Sequence, residues 1–315
     1  MELYIIIMIK YYQRTFKDHK LKTLADFQAG SLIYVSNPSD EEIKLISQKF
    51  NLEEGLIMDA LDPYEAPRME IKKKVAYIFS RIPEQKENLR EISTFPMMFV
   101  IGKDFLMIVS RRNPDFFISI VNGHKKYFTT QRTKLFLRLF SETESLYSDL
   151  LNKINKRINY FSLNVGNFKD QDIVNFVNYE VVLNDFVNAL LPLRHVLTNI
   201  LSGKTLELYQ DDKELVEDLQ LNNEQLIERS KSNLTNIVNI RQAHEVISTN
   251  RLNRVMKVLT VSTVILALPT MITSFYGMNV RLPYAQSLDA YWGIIISVII
   301  SIGVLLIFFR KKKII

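Results

Sequence analysis

Residues 258–280 read VLTVSTVILALPTMITSFYGMNV and residues 290–309 read AYWGIIISVIISIGVLLIFF; neither stretch holds a charged side chain. Each matches the roughly 20 residues that carry a helix across a bilayer. Only residues 281–289 separate them, so the pair is expected to form a tight transmembrane helical hairpin at the C-terminal end. Residues before Val258 have ordinary globular charge density.

Lysine and arginine placement orients the hairpin. Arg251, Arg254 and Lys257 precede the first span, Arg310–Lys313 follows the second, and the connection holds Arg281 against Asp289. Both termini are expected on the cytoplasmic side of the cell membrane, with the 280–290 loop outside and Tyr291 and Trp292 anchored at the outer interface. The basic cluster adjoins an apolar run, so it reads as a membrane-surface tail rather than a nucleic-acid contact.

The 315-residue chain has 47% hydrophobic and 23% charged residues, a net charge of +6 and a mean hydropathy of +0.01. These values exclude a many-helix membrane protein and a disordered chain. The absence of cysteine removes disulfides, thiolate zinc sites and cysteine nucleophiles. Four scattered histidines, His19, His124, His195 and His244, show no paired metal-ligand spacing. Gly203-Lys204-Thr205 resembles the end of a phosphate-binding loop, but Thr198 stands where that loop requires glycine. No nucleotide machinery and no enzyme is expected.

Three regions follow. Residues 1–128 carry short apolar, β-branched runs: Leu3–Lys10, Leu32–Val35, Val75–Ile82, Met97–Ile101, Phe105–Val109 and Phe116–Val121 read as strands. The first is too short and too flanked by charge for a signal peptide. Gly102-Lys103-Asp104 reads as a hairpin turn, and Ser39 with Glu42 as a capping box before Ile43, Ile46 and Phe50. This is an α+β domain. Residues 129–256 switch to helical period. Leu135, Leu139, Leu146, Leu150 and Ile154 mark one helix. Ile173, Val177, Val181, Val182, Phe186, Leu190 and Leu193 mark a second, which Pro192 bends near its end. A third begins near Lys213 and runs as a stalk into the membrane to about Phe275, with Pro269 inside it. Residues 257–315 form the membrane domain.

At 100° per residue, Met256, Thr260, Thr263, Ala267, Thr270, Ser274 and Gly277 share one face of the first span. Asn253 extends this stripe inward and Asn279 follows its outer end. Val258, Val261, Ile265, Leu268, Ile272 and Phe275 lie opposite. Small hydroxylic residues on one face either pack helix against helix or line water, and the spacing alone leaves both open. A pore would require several copies around an axis.

Tyr276-Gly277-Met278-Asn279, after the first of two C-terminal spans, resembles the signature of CorA-type magnesium transporters. The context agrees: Met-Lys-Val-Leu-Thr at 256–260 opens the span, a lysine-rich tail closes the chain, and Pro192-Leu193-Arg194 and Ala66-Pro67-Arg68-Met69-Glu70 occur upstream in order. The resemblance implies a funnel-shaped homopentamer in the lipid bilayer. Five first spans would line a pore for hydrated divalent cations through Asn253, Met256, Leu259, Thr260, Thr263, Ala267, Thr270 and Ser274. It implies a selectivity filter at Gly277, Met278 and Asn279, an apolar gate at Met256 and Leu259, and regulatory Mg2+ at Asp59 and Asp218. Asp62, Asp211, Asp212 and Glu217 are nearby substitutes. Two departures stand out: the outer loop holds a single acid, Asp289, and position 267 is alanine. Passive Mg2+ uptake, with Co2+ or Ni2+ as further cargo, is the expected function. A Zn2+ transporter and a non-conducting membrane-tethered Mg2+ sensor or scaffold are the alternatives.

Overall fold

The computed structural model describes residues 9–86, 91–121, 127–203, 206–280 and 288–312. The sequence features at residues 3–8, His124, Lys204-Thr205, 281–287 and Lys313 lie outside them. The chain divides into two compact units, Met1–Ile240 and Arg241–Ile315.

The N-terminal unit is built on a seven-stranded mixed sheet. Its strands are β1 (Ile9–Gln13), β2 (Lys22–Leu24), β3 (Ser31–Ser36), β4 (Arg68–Lys72), β5 (Val75–Gln85), β6 (Ile92–Ile101) and β7 (Phe105–Ser110). The spatial order is β2-β1-β3-β7-β6-β5-β4. Every pairing is antiparallel except β3 with β7, where Ile33 lies opposite Met107 and Val35 opposite Val109. The helices are α1 (Asp40–Phe50), α2 (Glu54–Asp59), α3 (Asp115–Val121), α4 (Arg132–Ser162) and α5 (Asp170–Leu201), followed by α6 (Gln210–Tyr276) and α7 (Leu288–Lys311).

Both faces of the sheet are covered, which explains why its central strands read as unbroken apolar runs. Ile33, Val35, Tyr77, Met98, Val100 and Met107 point to one side and share a core with Ile43 and Ile46 of α1 and Ile57 of α2. Leu32, Tyr34, Ile78, Phe99, Leu106 and Ile108 point to the other, into a larger core with α3, α4, α5 and the first part of α6. Phe99 meets Phe136 edge-on at 5.2 Å between ring centroids. The capping box at α1 forms: Glu42 N donates to Ser39 Oγ, and Ser39 N donates to the Glu42 carboxylate.

Two expectations need correction. Phe116–Val121 belongs to a helix, α3, not a strand; Phe117 and Ile120, three apart, are both buried, and Phe117 N donates to Pro114 O at the helix entry. The β-branched composition favoured a strand, and the i, i+3 burial decided otherwise. β2 and β4 were not expected, because edge strands are short and charged. Lys73 and Lys74, both at positive φ, close the β4–β5 hairpin with the two-residue turn usually given to Asn-Gly. In α5, Ile173, Val177 and Val181 are exposed; the buried stripe runs instead through Phe176, Tyr179, Leu183, Phe186, Leu190 and Leu193. Pro192 lies inside α5, which continues to Leu201.

The long third helix is present. α6 spans 67 residues with Pro269 inside it. Proline removes one backbone donor; Thr273 Oγ1 donates to Pro269 O and ties the next turn.

Candidate ion pathway and regulatory acids

The first span lies within α6 and the second is residues 291–311 of α7; both are long and apolar enough to cross a membrane. On α6, Val261 is buried and Ile265, Leu268 and Ile272 are half-buried. On α7 the half-buried positions include Ile295, Val298, Ile302, Leu305 and Phe309. Both sets recur at three- and four-residue steps, the spacing of a helix-pair seam.

The polar stripe lies away from that seam. Asn253, Met256, Leu259, Thr260, Thr263, Ala267, Thr270 and Ser274 are all exposed. The stripe is therefore not the packing surface of the two-helix unit itself. Its threonines share one geometry: Thr260, Thr263 and Thr270 donate their hydroxyl protons to the carbonyls of Met256, Leu259 and Leu266 at 2.8, 2.9 and 2.8 Å. A hydroxyl has one proton to donate. With that proton bound to its own helix, each oxygen presents only lone pairs outward. A row of acceptors suits the outer face of a hydrated cation, whose waters point hydrogens away from the metal.

The Gly277-Met278-Asn279 segment begins where α6 ends. Gly277 N donates to Thr273 O and Ser274 O, and Met278 N donates to Phe275 O, closing the last turn. A Cβ on Gly277 would lie 3.4 Å from Thr273 O, at the tight end of ordinary contact. The segment thus occupies the negative end of the helix dipole, where carbonyls outnumber amide donors and cations are favoured. Met278 is 51% exposed and Asn279 is exposed. No group within the chain occupies the amide of Asn279 among the described residues.

The two acids expected to be regulatory are placed differently. Asp59 ends α2 and pairs with Arg68 of β4 at 2.8 Å. Arg68 also binds Glu65 and Glu70, and its guanidinium lies 4.1 Å over the Phe79 ring. Asp218 is exposed on α6. No cluster of three or more acids and histidines suited to a metal occurs among the described residues. Two of the substitutes have structural work: Asp212 is buried and accepts from Tyr209 N at the start of α6, and Asp211 pairs with Lys134 at 3.6 Å. Asp62 accepts from Tyr64 N, and Glu217 is exposed.

Sequence reasoning missed one group. Glu144 of α4 is buried on the apolar stripe formed by Phe136, Phe140, Tyr147 and Leu151. An acid interrupting that stripe was the available signal.

An α+β unit, a helix of 67 residues and two helices long and apolar enough to cross a membrane define a two-span membrane protein. The family profile described as "CorA-like Mg2+ transporter protein" matches residues 30–311, and the chain belongs to that family. Among solved structures it is similar to the complete CorA magnesium transporter of Methanocaldococcus jannaschii, with a TM-score of 0.84 at 20% identity, covering 97% of this chain and 98% of that one. The full-length CmaX protein superposes with a TM-score of 0.73 at 13% identity, over 98% of this chain and 97% of the other. The ZntB cytoplasmic domain of Vibrio parahaemolyticus gives 0.62 at 12% identity, over 78% of this chain and 98% of that domain. No curated protein sequence matches. The fold class read from the sequence, an α+β domain followed by a long helix and two C-terminal spans, stands.

Proposed function

We propose that this chain mediates passive, potential-driven Mg2+ uptake through a pore made by five copies, with both termini cytoplasmic. The observation that carries this reading is the α6 stripe. Thr260, Thr263 and Thr270 present exposed, acceptor-only oxygens on one face, interrupted at Ala267, and the stripe ends at a helix C-terminus followed by Asn279. Five such stripes facing an axis would contact an ion through its water shell. Amide and hydroxyl oxygens hold it less tightly than a carboxylate ring, and conduction needs release as well as entry. Met256 and Leu259, 52% and 58% exposed, form the apolar constriction below it. An inside-negative potential contributes about 4.6 kcal/mol per 100 mV for a divalent cation, so entry needs no ATP. Asp59 of one copy and Asp218 of the next hold a regulatory Mg2+ that favours the closed arrangement, with Arg68 vacating Asp59 when the metal binds. Co2+ and Ni2+ share the route.

The test is Mg2+ entry into proteoliposomes under an inside-negative potential. Wild type is expected to conduct, and Asn279→Ala, assembled to the same size, is expected to lose at least tenfold of that flux. Equal flux in both removes Asn279 from the filter. No flux in either, at low internal Mg2+, leaves the non-conducting sensor. Zn2+ entry in place of Mg2+ establishes the other transporter reading.

A further inference from the structure

Glu144 is 4% exposed, and neither of its carboxyl oxygens reaches solvent or makes a hydrogen bond of regular geometry. Burial pushes its pKa up to about 9, with the Asn222 amide opposing weakly. The group borders a cavity of about 180 Å³ between α4 and α6. Ser141, Ser145 and Ser148 of α4 form one wall, and Asn222, Gln225 and Arg229 of α6 the other. Arg229 is the one charged partner in that wall among the described residues; no other lining group besides Glu144 itself titrates, and α5 contributes no side chain to it. Exposed Ser145, Asn222 and Gln225 form the mouth.

Arg229 and Glu144 share this cavity without pairing. The guanidinium instead donates to Ser148 Oγ at 3.4 Å and to Asn152 Oδ1. Glu144, Ser148 and Asn152 are successive i, i+4 positions on one face of α4. A cation therefore rests on neutral oxygens one and two turns from an acid that keeps its proton. A buried carboxyl without partners costs free energy, and an ion pair would offset that cost. Moving Arg229 one turn along α4, about 6 Å at 1.5 Å per residue, would supply the pair. Arg229 in the wall also makes the cavity a poor metal site, since its charge repels a second cation.

We propose that Glu144 and Arg229 form a proton-linked latch between α4 and α6. With the proton on Glu144, Arg229 rests on Ser148 and Asn152, as in this structure. When Glu144 releases its proton to water at the cavity mouth, the carboxylate draws Arg229 one turn along α4, and α6 shifts with it. Rising pH favours the shifted state. Because α6 continues to Tyr276, the latch biases the helix that carries the stripe; that consequence rests on the pore reading above, whereas the latch does not.

The chain has no cysteine, so Asp149→Cys with Glu228→Cys places two spin labels on exposed positions of α4 and α6 in the full-length protein. Distance distributions recorded from pH 6.5 to 9.5 should show a second population growing with pH. Its ratio to the first should rise up to tenfold per unit below the midpoint, with one proton released. Glu144→Gln, which mimics the neutral acid, should remain in the first population throughout. Arg229→Gln, which removes the cation that the carboxylate draws, should also remain in the first population throughout. A pH-invariant distribution in wild type, or the same pH response in Glu144→Gln, overturns the latch. A switching distribution with Mg2+ flux unchanged in the same liposomes supports the latch and overturns the claim that α6 displacement governs the pore.

Discussion

Met97, Met98, Phe99 and Val100 of β6 are fully buried, whereas Ile296, Ile299, Ile300 and Ile307 of α7, similarly apolar, are 54% to 69% exposed. Leaving such a side chain in water forfeits roughly 1.5–3 kcal/mol. The N-terminal unit avoids that loss by folding helices over both sheet faces. The C-terminal unit does not cover these residues, and lipid makes cover unnecessary. Polar groups show the reverse contrast. Glu144 is buried in the N-terminal unit, while the hydroxyls of Thr260, Thr263 and Thr270 lie on an open face. Exposure of apolar side chains along the two spans fits a lipid solvent, and the exposed threonines of α6 stand apart from that pattern.

The contrast makes quantitative demands. Phe99→Ala empties a site packed against Phe136 and Phe140 and is expected to cost about 3–5 kcal/mol, read as a drop in the unfolding midpoint of the detergent-solubilised protein. Ile307→Ala, on the exposed face of α7, is expected to cost under about 1 kcal/mol. Comparable losses at the two sites would break the contrast.

Glu144→Gln should stabilise. The folded protein keeps the Glu144 proton up to about pH 9, whereas the unfolded chain releases it near the ordinary carboxylate value. Between those limits the folded state binds the extra proton, so wild-type stability falls as pH rises and levels off above the upper one. The variant lacks that slope. At pH 7.5 its advantage is on the order of 3–4 kcal/mol, measured as the difference between denaturation curves at pH 5 and pH 8. A parallel pH dependence in both proteins would contradict the assignment.

Asp59→Asn combined with Asp218→Asn should abolish Mg2+ protection against limited proteolysis. For wild type that protection is about tenfold when Mg2+ is tenfold above its dissociation constant. Persistence of protection in the double variant would move the regulatory metal elsewhere. Ser39→Ala removes the α1 cap and is expected to cost about 1 kcal/mol, confined to the N-terminal unit and without effect on flux.

Several features followed from the chain order of residue types alone. The two uncharged runs, the stripe at three- and four-residue steps, the α1 capping box and the unbroken helix into the first span depend on local period and charge, which a linear reading contains. The Tyr-Gly-Met-Asn signature needed no folding to be seen. Other features depend on what lies across space. Whether Phe117 and Ile120 belong to a strand or a helix was decided by the core they enter. Edge strand β4 exists because β5 offers it a ladder, not because Arg68–Lys72 is apolar. Arg68 meets Asp59, Glu65 and Glu70 only after β4 and α2 are placed. Glu144 interrupts an apolar stripe in the sequence, but its raised pKa arises from burial once α4 and α6 pack. Local periodicity is set by backbone geometry and so survives in one dimension, whereas burial and charge pairing are properties of neighbours that only the folded chain supplies.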